Sequence, residues 1–233
     1  MRITILLFVF LFIINNASHA QTAQEVFTKV KDAVVLIESY DYDGTKSSQG
    51  SGVILNSKGI MVTNLHNYAG NEKIKIIHNG IEIPGGDIIG LDLKKDILVM
   101  KISENSFPEI PIGVTGDLKI GAKCFTVGSP LGFENSVSEG LISGIRQLEE
   151  KDNQTFIQFT ADIAPGSSGG AVLNDKGELI GISTLGIKGY AGYNFAVTIE
   201  DILNTGLGEY DTKDKLNALN IFFKGCCGSN ESI

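Results

Sequence analysis

The chain has 233 residues, 28 of them glycine and none tryptophan, and its formal net charge is −8. This length suits one unit of two β-barrels or two very small domains. The negative charge argues against a nucleic-acid partner, and no basic stripe is present to bind an anionic membrane. No group of histidines and carboxylates has the spacing of metal ligands, so we predict neither a metal nor any other cofactor.

The first 20 residues have the pattern of a secretion signal. Arg2 supplies a positive start, Ile3–Ile14 forms an apolar segment, and Ser18-His19-Ala20 is a small-x-small cleavage site. The apolar segment is shorter than the roughly 20 residues that are needed to span a bilayer. We therefore predict cleavage after Ala20, a periplasmic or secreted protein, and no stable membrane association after cleavage.

The predicted elements of the mature chain are mostly short strands. A capping box at residues 22–25 predicts a short helix at the start, and a second helix is predicted after Thr198. Between them lie short apolar segments bounded by turns, which is the pattern of an all-β protein. These segments are Ala33–Ser39, Ser51–Leu55, Lys73–Ile77, Ile97–Ile102, Lys123–Val127, Thr155–Thr160, Leu179–Thr184 and Tyr193–Val197. We predict two six-stranded antiparallel β-barrels, residues 21–115 and 116–206, followed by a tail, residues 207–233.

His66 is the leading candidate for a catalytic base. The chain has three histidines, and His19 lies in the predicted signal. His78 precedes Asn79-Gly80, a strong signal for a hairpin turn, where an exposed and inert position is expected. His66 directly follows an apolar strand, and it becomes the candidate base once an exposed serine is found elsewhere in the chain.

Asp96 is the candidate acid that would orient this base. It opens the apolar run that continues to Lys101, and a partly buried carboxylate at such a place needs a partner. Accepting the N–H of an imidazole would hold the histidine in the correct tautomer and stabilise the imidazolium. Asp92 has the same chemistry but lies in the more polar part of the segment.

The hexapeptide Pro-Gly-Ser-Ser-Gly-Gly at residues 165–170 exposes one serine, Ser168, among small residues. A substrate carbonyl could approach this main chain without steric conflict. The N–H groups of Gly166 and Ser168 are predicted to form an oxyanion hole, whereas the N–H of Ser167 is predicted to point elsewhere.

The order of these residues along the chain separates unrelated classes of serine hydrolase. The hexapeptide also satisfies G-x-S-x-G, but an α/β-hydrolase needs a histidine after its serine, and none follows His78. A catalytic order in which the aspartate precedes the histidine and the serine belongs to a fold with long helices around a parallel sheet. The alternating helical patterns of that fold are missing from this sequence. His66, Asp96 and Ser168 follow the chymotrypsin order.

Four sequence blocks in the right order resemble the HtrA (DegP-like) group of trypsin-type serine proteases. They are Gly50–Leu55 with Thr63–His66, Lys95–Lys101, Val127–Gly132 and Pro165–Ile182. The resemblance covers roughly residues 24–206. It implies a serine endopeptidase that cleaves unfolded or misfolded polypeptides through His66, Asp96 and Ser168, with Gly166 and Ser168 as the oxyanion hole.

The sequence departs from the group at several points. Ser167 and Ala171 stand where the group usually has asparagine and proline. The segment after residue 206 is too short for the PDZ domain of many members, so we expect none. The group commonly forms trimers through N-terminal aromatic contacts, but only Phe27 precedes the first strand here, so we predict a monomer or loose oligomer.

The expected substrate pocket leads to two predictions of specificity. The resemblance implies a pocket for small aliphatic side chains, with Thr184, Leu185 and Gly186 as its wall. Asp162 lies six residues before the candidate nucleophile, where trypsin-like enzymes place the carboxylate that binds lysine or arginine. Basic specificity is therefore the alternative, unless Asp162 faces solvent.

A second function, from a different class, also fits the sequence. Residues 181–186 resemble the edge strand on which these proteases hold substrate as an added β-strand. The alternative is a peptide-binding or chaperone-like module with little or no turnover.

The three cysteines indicate no disulfide framework. Cys124 lies in a strand-like segment and is predicted to be a buried, inert thiol, whereas the state of Cys226 and Cys227 stays open.

Overall fold

The computed structural model describes residues 21–102, 107–132, 135–148, 154–186 and 192–205. The predicted signal and the C-terminal tail lie outside these residues. The described residues form thirteen β-strands, two short α-helices and several 3₁₀ turns. The predicted all-β class is confirmed.

The first seven strands form one antiparallel sheet in the spatial order β5-β4-β1-β2-β3-β7-β6. The predicted six-stranded first barrel is instead a seven-stranded sheet in which the edge strands β5 and β6 do not pair with each other. Asn79 and Gly80 both have positive φ and form the predicted hairpin turn, which folds β4 back into the short strand β5. The strands are β1 Val34–Tyr40, β2 Lys46–Ile54, β3 Ile60–Asn64, β4 Lys73–His78, β5 Ile81–Ile83, β6 Asp87–Asp92 and β7 Ile97–Lys101.

The remaining six strands form a closed antiparallel barrel in the order β10-β13-β12-β11-β8-β9, as predicted for the second half of the chain. The register shifts in β12 between Ser183 and Leu185, so that Thr184 has no partner in β13. Such a β-bulge re-aims a side chain. The strands are β8 Lys123–Gly128, β9 Ser136–Leu148, β10 Gln154–Phe159, β11 Ala171–Asn174, β12 Leu179–Gly186 and β13 Asn194–Thr198.

The two predicted helices are present, each with its N-terminal cap. In α1 (Ala23–Val30), the Thr22 hydroxyl accepts from the Glu25 N–H at 3.2 Å, and the Glu25 carboxylate accepts from the Thr22 N–H at 2.8 Å. This is the predicted capping box. Thr198 caps α2 (Ile199–Leu203). Among the described residues, no helix is long and apolar enough to cross a membrane.

The sheet and the barrel share a hydrophobic core. Val26 of α1, Val62 of β3 and Val127 of β8 belong to one cluster of buried residues, which joins the first sheet to the barrel. Within β8, Cys124 is fully buried, and this burial raises the pKa of its thiol to about 12. The thiol is therefore protonated at neutral pH, and the predicted burial of Cys124 is confirmed.

Candidate active site

The pairing of β3 with β7 brings His66 and Asp96 together. β3 ends at Asn64, and the 3₁₀ turn Leu65–Asn67 follows it and carries His66. Asp96 directly precedes β7, and Asn64 pairs with Ile97, the first residue of that strand. The two candidate residues therefore lie next to each other although 30 positions separate them in the chain.

Asp96 binds both the backbone and the ring of His66. Its Oδ1 accepts from the His66 N–H at 2.9 Å, and its Oδ2 lies 2.6 Å from His66 Nδ1. An ionised carboxylate only accepts, so the short contact places the proton on Nδ1 and leaves Nε2 as the basic nitrogen. The two contacts together fix the position and the tautomer of the ring.

The candidate nucleophile lies in two consecutive turns that need glycine. The Ser167 N–H donates to the Ala164 carbonyl at 2.9 Å, with Pro165 second and Gly166 third in the turn, at φ +99°. The Gly170 N–H donates to the Ser167 carbonyl at 2.8 Å, and Gly169 is third in this turn, at φ +84°. A positive φ at the third position is the mark of a type II turn, which side chains disfavour.

Contacts from the first sheet hold Ser168 beside the His66–Asp96 pair. The Ser168 carbonyl accepts from the Ser51 N–H at 2.8 Å and from Asn67 Nδ2 at 2.9 Å. Asn67 is the residue that follows His66, so the segment that carries the candidate base also binds the candidate nucleophile. The three residues predicted from chain order therefore lie at one site.

Thr184 connects the acid to the nucleophile. Its hydroxyl donates to Asp96 Oδ2 at 3.2 Å, and its carbonyl lies 3.4 Å from Ser168 Oγ. The sequence predicts Thr184 only as part of the pocket wall. Its contact with Asp96 depends on the β-bulge in β12, for which the local sequence has no signal.

The N–H groups of the hexapeptide divide into two kinds. The Ser167 N–H donates to Ala164, as expected from the sequence. Within the described part of the chain, the Gly166 and Ser168 N–H groups have no acceptor. These are the two donors that the sequence predicts for an oxyanion hole, and such donors are available for an external oxygen.

The residues predicted to line the substrate pocket do not all lie in the same surroundings in the structure. An added Cβ at Gly186 would lie 2.8 Å from Asn194 Oδ1 and 3.5 Å from Ile163 Cδ1, so these residues face one space. Leu185 pairs with Phe195 in the barrel. Ile163 was not predicted as a pocket residue, and it brings an apolar side chain to the position next to Asp162.

Asp162 is an exposed residue that lines a cavity of about 230 Å³, which Ile163 and Ser167 also line and to which residues 184–186 do not contribute. Its N–H donates to Ser138 Oγ at 3.0 Å, so the backbone of Asp162 is tied to β9. Ser138, Val137 and Thr126 line the same cavity. A carboxylate in this exposed position is solvated and needs no cationic partner.

A family model described as "Trypsin-like peptidase domain" matches residues 50–182, which include His66, Asp96 and Ser168. The chain belongs to this family. A probable periplasmic serine endoprotease, DegP-like, of Halomonas elongata is 36% identical over 160 residues, which are 66% of this chain and 34% of that protein. The putative serine protease HhoB of Synechocystis sp. is 33% identical over 188 residues, 78% of this chain and 42% of that protein.

Solved structures extend the similarity to the fold. The structure of the HtrA-type protease AlgW with a tripeptide matches with a TM-score of 0.72 and 30% identity, over 78% of this chain and 62% of that chain. These findings confirm the resemblance to the HtrA group. The chain spans only about a third to two fifths of the length of the two curated relatives.

Proposed function

We propose that this chain is a serine endopeptidase in which Ser168 is the nucleophile, His66 the general base and Asp96 the residue that orients it. One observation carries the proposal. The turn around Ser168 presents two N–H groups that have no acceptor among the described residues, and it is hydrogen-bonded to Asn67, the neighbour of a histidine whose Nδ1 lies 2.6 Å from a carboxylate. A nucleophile, an oriented base and paired oxyanion donors are the parts that acyl transfer requires.

The reaction proceeds in two halves. Ser168 Oγ attacks the carbonyl carbon of the substrate while His66 Nε2 takes the hydroxyl proton, and the carbonyl oxygen becomes an oxyanion between the Gly166 and Ser168 N–H groups. The C–N bond then breaks as His66 returns the proton to the amine, which leaves an acyl-enzyme. Water attacks this ester through the same base, releases the acid and restores the serine hydroxyl.

We further propose that the substrate is an extended segment of an unfolded polypeptide. β11 pairs with β12 only up to Ile182, so residues 184–186 of β12 have no β11 partner to exclude an added strand. The similar AlgW structure contains a bound tripeptide, which supports a peptide ligand. The names of the relatives support a periplasmic location, and N-terminal sequencing of the exported protein would test cleavage after Ala20.

For specificity, we propose small uncharged side chains before the scissile bond. Ile163 brings an apolar side chain next to Gly186, whereas the neighbouring Asp162 is exposed. A cationic side chain would find no desolvated carboxylate at Asp162 with which to pair.

The test compares two neighbouring serines. Ser168→Ala should lower the turnover of unfolded casein by a factor on the order of 10⁴ or more, because the nucleophile is lost. Ser167→Ala is the matched control, since Ser167 lies in the same turns but its N–H and Oγ are bound to Ala164. A fluorophosphonate should label the parent and the control but not Ser168→Ala.

The same experiment distinguishes the endopeptidase from the alternative function, a peptide-binding module. A folded parent protein that binds casein peptides but does not label between pH 6 and 9 would contradict the endopeptidase and support a peptide-binding module. Parental turnover by Ser168→Ala would refute the assignment of the nucleophile.

A further inference from the structure

The direction of a backbone N–H can be set from the other side of its peptide bond. In a planar trans peptide the C=O of one residue and the N–H of the next point in opposite directions. A contact that holds the carbonyl therefore also aims the N–H. The Ser168 N–H shares its peptide with the Ser167 carbonyl, and the Gly166 N–H shares its peptide with the Pro165 carbonyl.

The Ser183 side chain holds the carbonyl behind the Ser168 N–H. Ser183 is 1% exposed, and its hydroxyl donates to the Ser167 carbonyl at 2.6 Å. The same carbonyl also accepts from the Gly170 N–H at 2.8 Å. On the backbone, the Ser183 carbonyl accepts from the Gly169 N–H at 2.7 Å, and the Ser183 N–H donates to the Gly170 carbonyl at 2.9 Å. Ser183 is thereby fixed against the turn and can direct its hydroxyl.

Ser51 contacts the same hexapeptide from the other side but holds a different peptide bond. Ser51 is 0% exposed, and its hydroxyl donates to the Gly166 carbonyl at 2.7 Å and accepts from the Ser129 N–H at 2.9 Å. The peptide after Gly166 carries the Ser167 N–H, which is already bound to Ala164. The Ser51 side chain therefore supports the turn without aiming either of the two available donors.

We propose that Ser183 is a positioning residue for the oxyanion hole: its hydroxyl holds the Ser167 carbonyl and thereby aims the Ser168 N–H at the substrate oxygen. This inference rests on the proposed function of the Ser168 turn. Ser183 does not touch the substrate. It acts through the peptide plane, so its loss should affect the chemical step more than substrate binding.

The experiment compares Ser183→Ala with Ser51→Ala in the full chain, using steady-state kinetics on one peptide substrate and urea denaturation. Ser183→Ala should lower kcat on the order of tenfold, with KM changed less than about threefold. The loss is smaller than the 10²–10³ for a deleted donor because the Gly170 N–H still holds the carbonyl. Ser51→Ala removes two short hydrogen bonds, whereas Ser183→Ala removes one short bond and one contact of 3.5 Å to the Gly170 carbonyl. Ser51→Ala should therefore lower the urea midpoint more but kcat less.

This crossed order is the decisive result, because a merely structural role would make kcat fall in the same order as the urea midpoint. If Ser183→Ala does not fold, Ser183→Cys keeps the shape with a weaker donor and should give a smaller loss of kcat. Losses of kcat that follow the stability order would overturn the inference while the endopeptidase stands. A parent protein without turnover that depends on Ser168 would overturn both.

Discussion

Replacing Gly50 with alanine would drive a methyl group into the side-chain amide of Asn67. The added Cβ would lie 2.3 Å from Cγ and Nδ2 of Asn67, where ordinary contacts begin near 3.4 Å. Asn67 is only 4% exposed, and its Nδ2 donates to Thr63 Oγ1 at 3.0 Å and to the Ser168 carbonyl at 2.9 Å. The amide must therefore move by about 1 Å. A displacement of this size breaks both hydrogen bonds.

The expected cost follows from these two bonds. A buried hydrogen bond contributes about 0.5–1.5 kcal/mol net, and a buried group left unpaired costs about 1–3 kcal/mol. We therefore expect Gly50→Ala to lower the free energy of unfolding by about 2–4 kcal/mol. Turnover should also fall, because the Ser168 carbonyl keeps only the Ser51 N–H as a donor.

A double-mutant cycle with urea denaturation tests the mechanism. Asn67→Ala removes the amide, so the methyl group of Gly50→Ala has space in that background. The loss in the double variant should be smaller than the sum of the two single losses by at least about 1 kcal/mol. Losses that add within about 0.5 kcal/mol, or a Gly50→Ala variant as stable as the parent, would refute the reasoning.

Two further predictions concern charged groups. Hydrogen bonds from Lys46 Nζ at 2.6 Å and the Tyr40 hydroxyl at 2.7 Å lower the pKa of the Glu38 carboxyl below its ordinary value of 4.5. The stabilisation is present above pH 4.5 and is lost as the pH falls through the lowered pKa. Glu38→Gln should therefore reduce stability at pH 7 by no more than about 1 kcal/mol and less at pH 3, and an equal loss at both would contradict the assignment. Asp162→Ala should leave the cleavage sites in a denatured protein digest unchanged, whereas lost cleavage after lysine or arginine would show that Asp162 selects the substrate.

Short-range patterns were sufficient to predict much of the fold. The capping box at Thr22 forms because its donors and acceptors lie three residues apart. The segments Lys73–Ile77 and Ile97–Ile102 closely match β4 and β7, since apolar runs bounded by turns have few other compact solutions. β9 is not among the strands predicted from the sequence, and it carries the exposed apolar residues Val137, Leu141 and Ile145. The positions that alternate with them include Ser138, Gly140 and Gly144, so most of the apolar residues of β9 lie on its exposed face and do not give the pattern of a half-buried strand.

The candidate site divides in the same way. The sequence was sufficient to predict His66, Asp96, Ser168 and the glycines around the serine as candidate site residues. Few residue types can act as nucleophile or base, and few adopt a positive φ. The roles of Asn67, Thr184 and Ser183 were decided only by the tertiary structure. Each depends on a contact that spans at least 16 positions in the chain, and in Thr184 also on a β-bulge. Hydrogen bonds between residues so far apart in the chain form only after the sheet and the barrel have packed. A local sequence pattern therefore does not predict which buried polar side chains bind each other.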